Sequence, residues 1–466
     1  MFRVLKSPGE TESFEKIALF INGTPIKADF CRVSAIPFNT PWPGHQRPVE
    51  QSEETGFLRI VTDEKIEIEA YPNRKFQRAV VRPLSKNIDV QTDENKARFF
   101  IEKEGKYVLE FDDEHTAVHI FVDAPRDFSD YGQPTRIFGA GVHEVGKIVL
   151  KNGDRIFVEE GARVKGTFFG EGIEDAAIYG YGVIDGGLEI RKSPDCYEKE
   201  PNGCLKFYEC NNLSVEGVTL VDSAVWVCNL FACKNVKIDN IKIVGHWKYN
   251  CDGIDIVNSS EVNIRNSFIR AFDDVITLKG ILPYRHLPVE NVTVTNCVLW
   301  CGWGRTLEIG LETLAEYYRS LFFVDCDLIH NSAVAIDIQS GDYAEICGVE
   351  YRNIRVEYQT SALPEQMENP IGCRYTGYGN RHVPIFIKIC TWQYFLGSPF
   401  DEYDEKLVKV RKGRRAFIHD ITFENVIALV EGDIAPQTVI DVKEPAVIGK
   451  ITMKNVSAHR IDISKK

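Results

Sequence analysis

Short runs in which apolar and polar positions alternate recur along the later two thirds of the chain, most of them closing on an asparagine or a glycine. The clearest are Leu213-Ser-Val215-Glu-Gly217, Val236-Lys-Ile238-Asp-Asn240, Val262-Asn-Ile264-Arg-Asn266 and Val292-Thr-Val294-Thr-Asn296. Phe322-Phe-Val324-Asp-Cys326 and Val349-Glu-Tyr351-Arg-Asn353 continue the frame. Ile421-Thr-Phe423-Glu-Asn425 and Ile451-Thr-Met453-Lys-Asn455 resume it after a gap, and Ala176-Ala-Ile178-Tyr-Gly180 fits as an earlier turn. A period of two marks strands with one buried and one solvated face. The closing Asn suits a turn, where its amide can satisfy backbone groups. The spacing of about 23 to 30 residues is that of a solenoid, and no 3.6-residue pattern accompanies it. The array therefore predicts an all-β chain built on a right-handed parallel β-helix, its coils stacked about 4.8 Å apart. A propeller would need more uniform, four-stranded blades. A sandwich would leave the likeness between strands accidental.

Residues 1–125 read differently. The β-prone runs Lys16–Ile21, Leu58–Val61, Ile66–Ala70, Tyr107–Phe111 and Val118–Val122 are split by Gly, Pro, Asn and Asp, which predicts an antiparallel N-terminal β-sandwich. Ala124–Pro134 has the Pro, Gly and Asp content of a boundary. The β-helix is expected over 126–466, its first coils beginning near Arg136. An insertion at about 358–416 holds Pro364, Pro370, Pro384, the aromatic run Trp392–Phe395 and the basic run Lys409–Arg415. Long insertions in a solenoid emerge on one face and often wall a groove. The basic run by itself reads as a solvated loop.

Bulk composition narrows the partners. A net charge of −13 argues against a nucleic-acid binder and, more weakly, against a polyanionic substrate. No apolar stretch is long enough to span a membrane, and the first residues lack the apolar run of a signal peptide, so a cytoplasmic location is expected. A secreted form whose signal was removed before Met1 stays open. The thirteen cysteines are odd in number and diffuse in spacing, with no Cys-x-x-Cys pair. They read as reduced, buried side chains, and neither a zinc site nor a cofactor is expected.

Candidate chemistry lies inside the array. Asn250-Cys-Asp252-Gly-Ile-Asp255 is followed by Phe272-Asp273-Asp274-Val-Ile-Thr-Leu-Lys279. Neighbouring like charges repel and raise a pKa, so three carboxylates one repeat apart are costly unless they share acid/base work. Asp255 reads mainly as a residue of the coil interior or a turn. Lys279 binds a sugar hydroxyl or holds Asp273 in place. Trp303 could stack on a pyranose ring, Arg305 and Glu308 could contact substrate, and His246 is a rim or structural residue. Glu312 is open between roles.

These motifs resemble those of glycoside hydrolase family 28, the polygalacturonase family. The segment 250–255 is similar to its Asn-Thr-Asp motif and 272–279 to its Gly-Asp-Asp-Cys-Ile-x-Ile-Lys motif, within a likeness covering roughly residues 136–460. A sandwich followed by a β-helix also resembles glycoside hydrolase family 49, the dextranase and isopullulanase family. The resemblance implies a pectin-lyase-like solenoid and inverting hydrolysis of a glycosidic bond, with Asp273 as acid and Asp252 and Asp274 as the pair that activates water. The candidate substrate-binding residues are Asn250, Lys279, Trp303, Arg305, Glu308 and His246. Two departures stand out. Trp303 replaces the histidine of the family's Gly-His-Gly motif, and Ala335-Ile336-Asp337 stands where Arg-Ile-Lys would hold a uronate carboxylate. A galacturonate would there lose its counter-charge and face Asp337. A neutral oligo- or polysaccharide, for instance an α-linked glucoside or galactoside, is the expected substrate. Rival readings are an exo-polygalacturonase with a replaced uronate-binding motif, a lyase or epimerase on uronic acids with calcium held by the aspartates, and a non-catalytic carbohydrate binder. The insertion and the sandwich are expected to close one end of the groove.

Overall fold

A computed structural model describes residues 2–6, 13–35, 48–191, 196, 199–200, 202–359, 366–368, 373–375, 384–391, 414–433 and 435–462. Its main body is a 28-stranded, right-handed parallel β-helix running from Arg136 to Ile461. Over most of its length each strand pairs with the third strand after it, so a coil has three faces. Face one contains Leu205–Tyr208, Cys228–Phe231, Ile254–Val257, Ile276–Gly280, Arg305–Thr313, Val334–Ser340 and Ile385–Thr391. Face two contains the repeated frame, and face three includes Val183–Asp185, Thr219–Val221, Lys242–Ile243, Phe268–Ala271 and Val298–Cys301.

The apolar positions of the frame point inward and stack in register. Ala176 pairs with Leu213, Leu213 with Val236, Val236 with Val262 and Val262 with Val292. In the next coil the sequence frame is one residue out of step. Val292 pairs with Leu321 and Val294 with Phe323, which are buried, whereas Phe322 faces outward. A slip of one residue exchanges the two faces of a strand, and four consecutive apolar residues, Leu321–Val324, hide the correct phase from a pattern reading. Val349 pairs directly with Ile421, so the stack continues unbroken across the gap in the repeat.

The recurring asparagine has a conformational cause. Asn240, Asn266, Asn296, Asn353, Asn425 and Asn455 all have φ between 51° and 56°, the left-handed region that Asn tolerates better than most residues. Their amides also form a ladder: Asn296 donates to Asn266 at 2.9 Å, Asn425 to Asn353 at 3.1 Å and Asn455 to Asn425 at 2.8 Å.

The N-terminal strands form one ten-stranded sheet, largely antiparallel, with a parallel pairing between Asp113–Asp123 and Ser52–Val61. Its core, including Ile21, Ile60, Ile68, Phe99, Leu109, Phe111 and Ile120, draws only on its own residues, so the sheet folds over itself as a sandwich. Its outer side, through Phe57, Val108 and Phe121, packs on Val183, Val221, Phe268, Val298 and Trp300. Polar links run from the Arg59 guanidinium to the Tyr181 carbonyl and from Arg82 to Glu357 and Glu431. The sandwich thus lies along face three over much of the stack. The aromatic run 392–395 and the basic run as far as 413 fall outside the described residues. Arg414 places its guanidinium over the Tyr343 ring at 4.3 Å.

Candidate active site

The two aspartate segments are the connections from face three to face one, in consecutive coils. Gly253 N–H donates to the Asp274 carbonyl at 2.8 Å, and Ile254 pairs with Ile276. By that register Asp252 and Asp274 occupy equivalent positions, and the next coil places Arg305 over Asp274, as Val275 N–H donates to the Arg305 carbonyl at 2.9 Å. Gly304 permits this packing. A Cβ there would sit 2.4 Å from Asp273 Oδ1 and 2.5 Å from Asp274 Oδ1.

All three aspartates are buried. Lys279 Nζ lies 3.8 Å from Asp252 Oδ2, 3.6 Å from Asp274 Oδ2 and 3.5 Å from Glu312 Oε2, bridging three carboxylates. Asp274 Oδ1 accepts the Arg305 backbone N–H at 2.9 Å and has the Arg305 guanidinium at 3.5 Å. Asn250 Nδ2 donates to Asp273 Oδ2 at 3.4 Å, and Arg191 donates to Asn250 Oδ1 at 2.8 Å. Trp303 stacks on Phe272 with ring centroids 5.7 Å apart and meets Tyr249 at 6.0 Å. It stands beside the aspartate segments, packed in a small cluster with Cys251.

The electrostatics split adjacent residues. Burial, then the charge of Asp274, pushes Asp273 up to about 7. Burial would raise Asp274 as well. Arg305 and Lys279 outweigh it, with a hydrogen bond from Glu308, and bring Asp274 down to about 2. Burial and then Asp255, Asp273 and Asp274 raise Asp252 well above the ordinary range. Burial would lower Lys279, but Glu312, Asp274 and Asp252 raise it instead.

A polar column on face one backs the trio. Asn229, Asp255, Thr277, Glu308, Asp337 and Lys388 pair in successive coils, each buried, and alternate with inward apolar residues such as Ile254, Ile256, Leu307 and Ile336. Asp255 is therefore neither in the coil interior nor in a turn. Neither of its oxygens meets an N–H donor or a hydroxyl. Burial holds its carboxyl well above the ordinary range, and the Asp252 carboxyl is its side-chain neighbour. Burial, then Asp274, likewise holds Glu308 well above its usual range, and a hydrogen bond to Glu308 helps to lower Asp274.

Of the residues singled out in the sequence, Asn250, Lys279, Arg305, Glu308 and Glu312 join the aspartates, and Trp303 packs alongside. His246 does not. It is buried, its Nδ1 accepts from Ser223 N–H at 3.3 Å, and its Nε2 donates to the Leu220 carbonyl at 3.2 Å. Burial pushes it down to about 3, so it is a neutral packing residue, which corrects its expected contact with substrate. Arg191 and Lys388 were missed. Lys388 reaches Asp337 at 3.2 Å and also donates to Gln339. Lys388 lies inside the expected insertion at 358–416, which the structure corrects in part, since Ile385–Thr391 is a face-one strand paired with Val334–Ser340, whereas the strand parity of Asp255 was visible in the alternation Ile254, Ile256.

The fold and site together define a parallel β-helix with a buried carboxyl cluster on one face. Residues 144–363 match the family model for Glycosyl hydrolases family 28, which bears out the resemblance carried by the two aspartate motifs. An exopolygalacturonase of Oenothera organensis is 32% identical over 145 residues, 30% of this chain and 38% of that protein. Exopolygalacturonase clone GBGE184 of Arabidopsis thaliana is 26% identical over 221 residues, 44% of this chain and 47% of that protein. The chain thus spans less than half the length of these relatives. Among solved structures, Dex49A from Penicillium minioluteum superposes with a TM-score of 0.56 at 12% identity, covering 97% of this chain and 90% of the other. That likeness is one of fold and extends through the N-terminal sheet as well as the coils.

Proposed function

We infer that the chain is an O-glycoside hydrolase that cleaves by a three-aspartate acid/base mechanism. The observation that carries this reading is the split between neighbours, with Asp273 raised to about 7 and Asp274 lowered to about 2. An acid that keeps its proton near neutrality and an ionised base is the pairing glycosidic cleavage needs. Asp273 gives its proton to the leaving oxygen as the bond from that oxygen to the anomeric carbon breaks. A water held between Asp252 and Asp274 attacks the carbon, and its proton passes to Asp274. Asp252, whose carboxyl is held well above the ordinary range by burial and by Asp255, Asp273 and Asp274, orients the water. Lys279 keeps the two carboxyl groups apart. Attack opposite the leaving group inverts the anomeric centre. Proton NMR of the first-formed product tests this, and a retained anomer or a trapped glycosyl-enzyme overturns it.

The substrate is proposed to be neutral at the cleaved sugar. Asp337 replaces a cation there, and Lys279, Arg305 and Lys388 each already stand within 4.0 Å of a carboxylate. A second reading, hydrolysis of a galacturonan, is favoured by the exopolygalacturonases among the relatives. Comparing kcat/KM on neutral and uronic oligosaccharides decides between them. A clear preference for galacturonate transfers the uronate contact to Arg305, with Arg305→Ala as the next variant.

A further inference from the structure

Face two carries a second cluster of chemistry-bearing side chains. Cys347 and His419 are cross-strand partners in adjacent coils, and Glu345 lies two residues before Cys347 on the same side of its strand. The thiol, one imidazole nitrogen and one carboxylate oxygen all lie within 4.8 Å of one another. His419 Nε2 is 3.0 Å from Glu345 Oε1, and His419 Nδ1 is 2.8 Å from Asp420 Oδ2. The Phe417 ring stacks on the imidazole at 4.0 Å and fixes its plane. Gly449 in the coil above leaves room, since a Cβ there would come within 2.7 Å of His419 Cβ.

We propose that Glu345, Cys347 and His419 form a binding site for a borderline-soft divalent transition metal, of which zinc is the type. The donor set of one thiolate, one imidazole and one carboxylate is that of zinc. Three protein ligands leave the fourth tetrahedral position to water. Asp420 accepts from Nδ1, the arrangement that commonly orients a metal-bound histidine, and this leaves Nε2 to the metal. Without metal a proton bridges Nε2 and Glu345 at 3.0 Å, in the place the metal would take. Arg319 competes for the same groups. It pairs with Glu345 at 3.5 Å and hydrogen-bonds Cys347, but its side chain is 51% exposed and can leave. Binding releases the thiol proton and the proton between Nε2 and Glu345 to solvent as the metal–sulfur and metal–nitrogen bonds form.

The test is titration of the intact chain, first stripped with chelator, with Co²⁺ and then Zn²⁺. One equivalent of Co²⁺ should give a thiolate-to-cobalt charge-transfer band that Zn²⁺ abolishes. Cys347→Ser should remove the band, and His419→Ala should remove stoichiometric binding. Asp420→Asn, which suits the positive φ of that residue, should weaken affinity on the order of tenfold. Arg319→Ala should tighten it. Near-ultraviolet circular dichroism verifies that each variant is folded. No thiolate band in the parent chain, or an unchanged band in Cys347→Ser, overturns the proposal.

Discussion

Two buried charge networks in this molecule follow opposite rules. Where the sandwich meets the coils, Arg82 donates to Glu110 at 2.8 Å and to Glu357 and Glu431 at 2.6 Å, and Lys106 and Lys242 hold the two oxygens of Asp123 at 2.6 and 2.5 Å. Around the three aspartates, cations and carboxylates stand 3.5 to 3.8 Å apart, and an oxygen of Asp252, both of Asp255 and one of Glu308 lack a donor. Burial is costly in both places. At the interface it is offset by close, directed ion pairs. In the site it shows instead as raised carboxyl pKa values at Asp252, Asp255 and Glu308, with the cations held back.

The sharpest break in that contrast is Asp273→Asn. It keeps shape and removes the proton, so kcat should fall about 10²- to 10⁴-fold with folding intact. Undiminished turnover would assign the acid elsewhere. The same variant tests the cost of the site. The folded pKa of Asp273 is raised to about 7 from the usual 3.8. Its protonation therefore favours the fold below about pH 4, and that contribution is lost as pH rises through 7. Asp273→Asn should gain thermal stability relative to the parent chain between pH 5 and pH 8, and the parent's activity should fall away above pH 7. An advantage independent of pH contradicts the assigned shift.

Arg82→Met should do the reverse. Leaving three glutamates buried without their cation should cost about 3–5 kcal/mol in urea unfolding, while molecules that remain folded turn over normally. Glu308→Ala removes the donor to Asp274 without touching the leaving group. A hydrogen bond to a charged group is worth about 1.5–3 kcal/mol, so kcat should fall tenfold or more and the acid limb of the pH profile should move upward. Glu308→Gln, which keeps a donor, should restore most of the activity. The smallest effect belongs to a residue outside both networks. Asn296→Ala forces a left-handed φ on alanine, so it should cost about 1–2 kcal/mol of stability and leave kcat unchanged.

The sequence by itself determined the repeat, its parallel stacking and the three aspartates, because period-two alternation and left-handed asparagine turns are local and recur in every coil. It misplaced the phase at Phe322, where four apolar residues in a row carry no alternation. It set Asp255 in the interior or a turn and gave His246 a sugar contact, because one strand's spacing does not show what lies across the coil. Only the tertiary structure decided that Asp255 and Glu308 stand beside the trio and that Lys388, fifty-one residues from Asp337, supplies its counter-charge. Sequence spacing also argued against a zinc site, yet the register brings His419 opposite Cys347 from the far side of the insertion. The physical reason is common to all of these. In a stacked coil a side chain's nearest polar neighbours belong to other turns, and the lengths of the connections between turns leave no periodic trace in the chain.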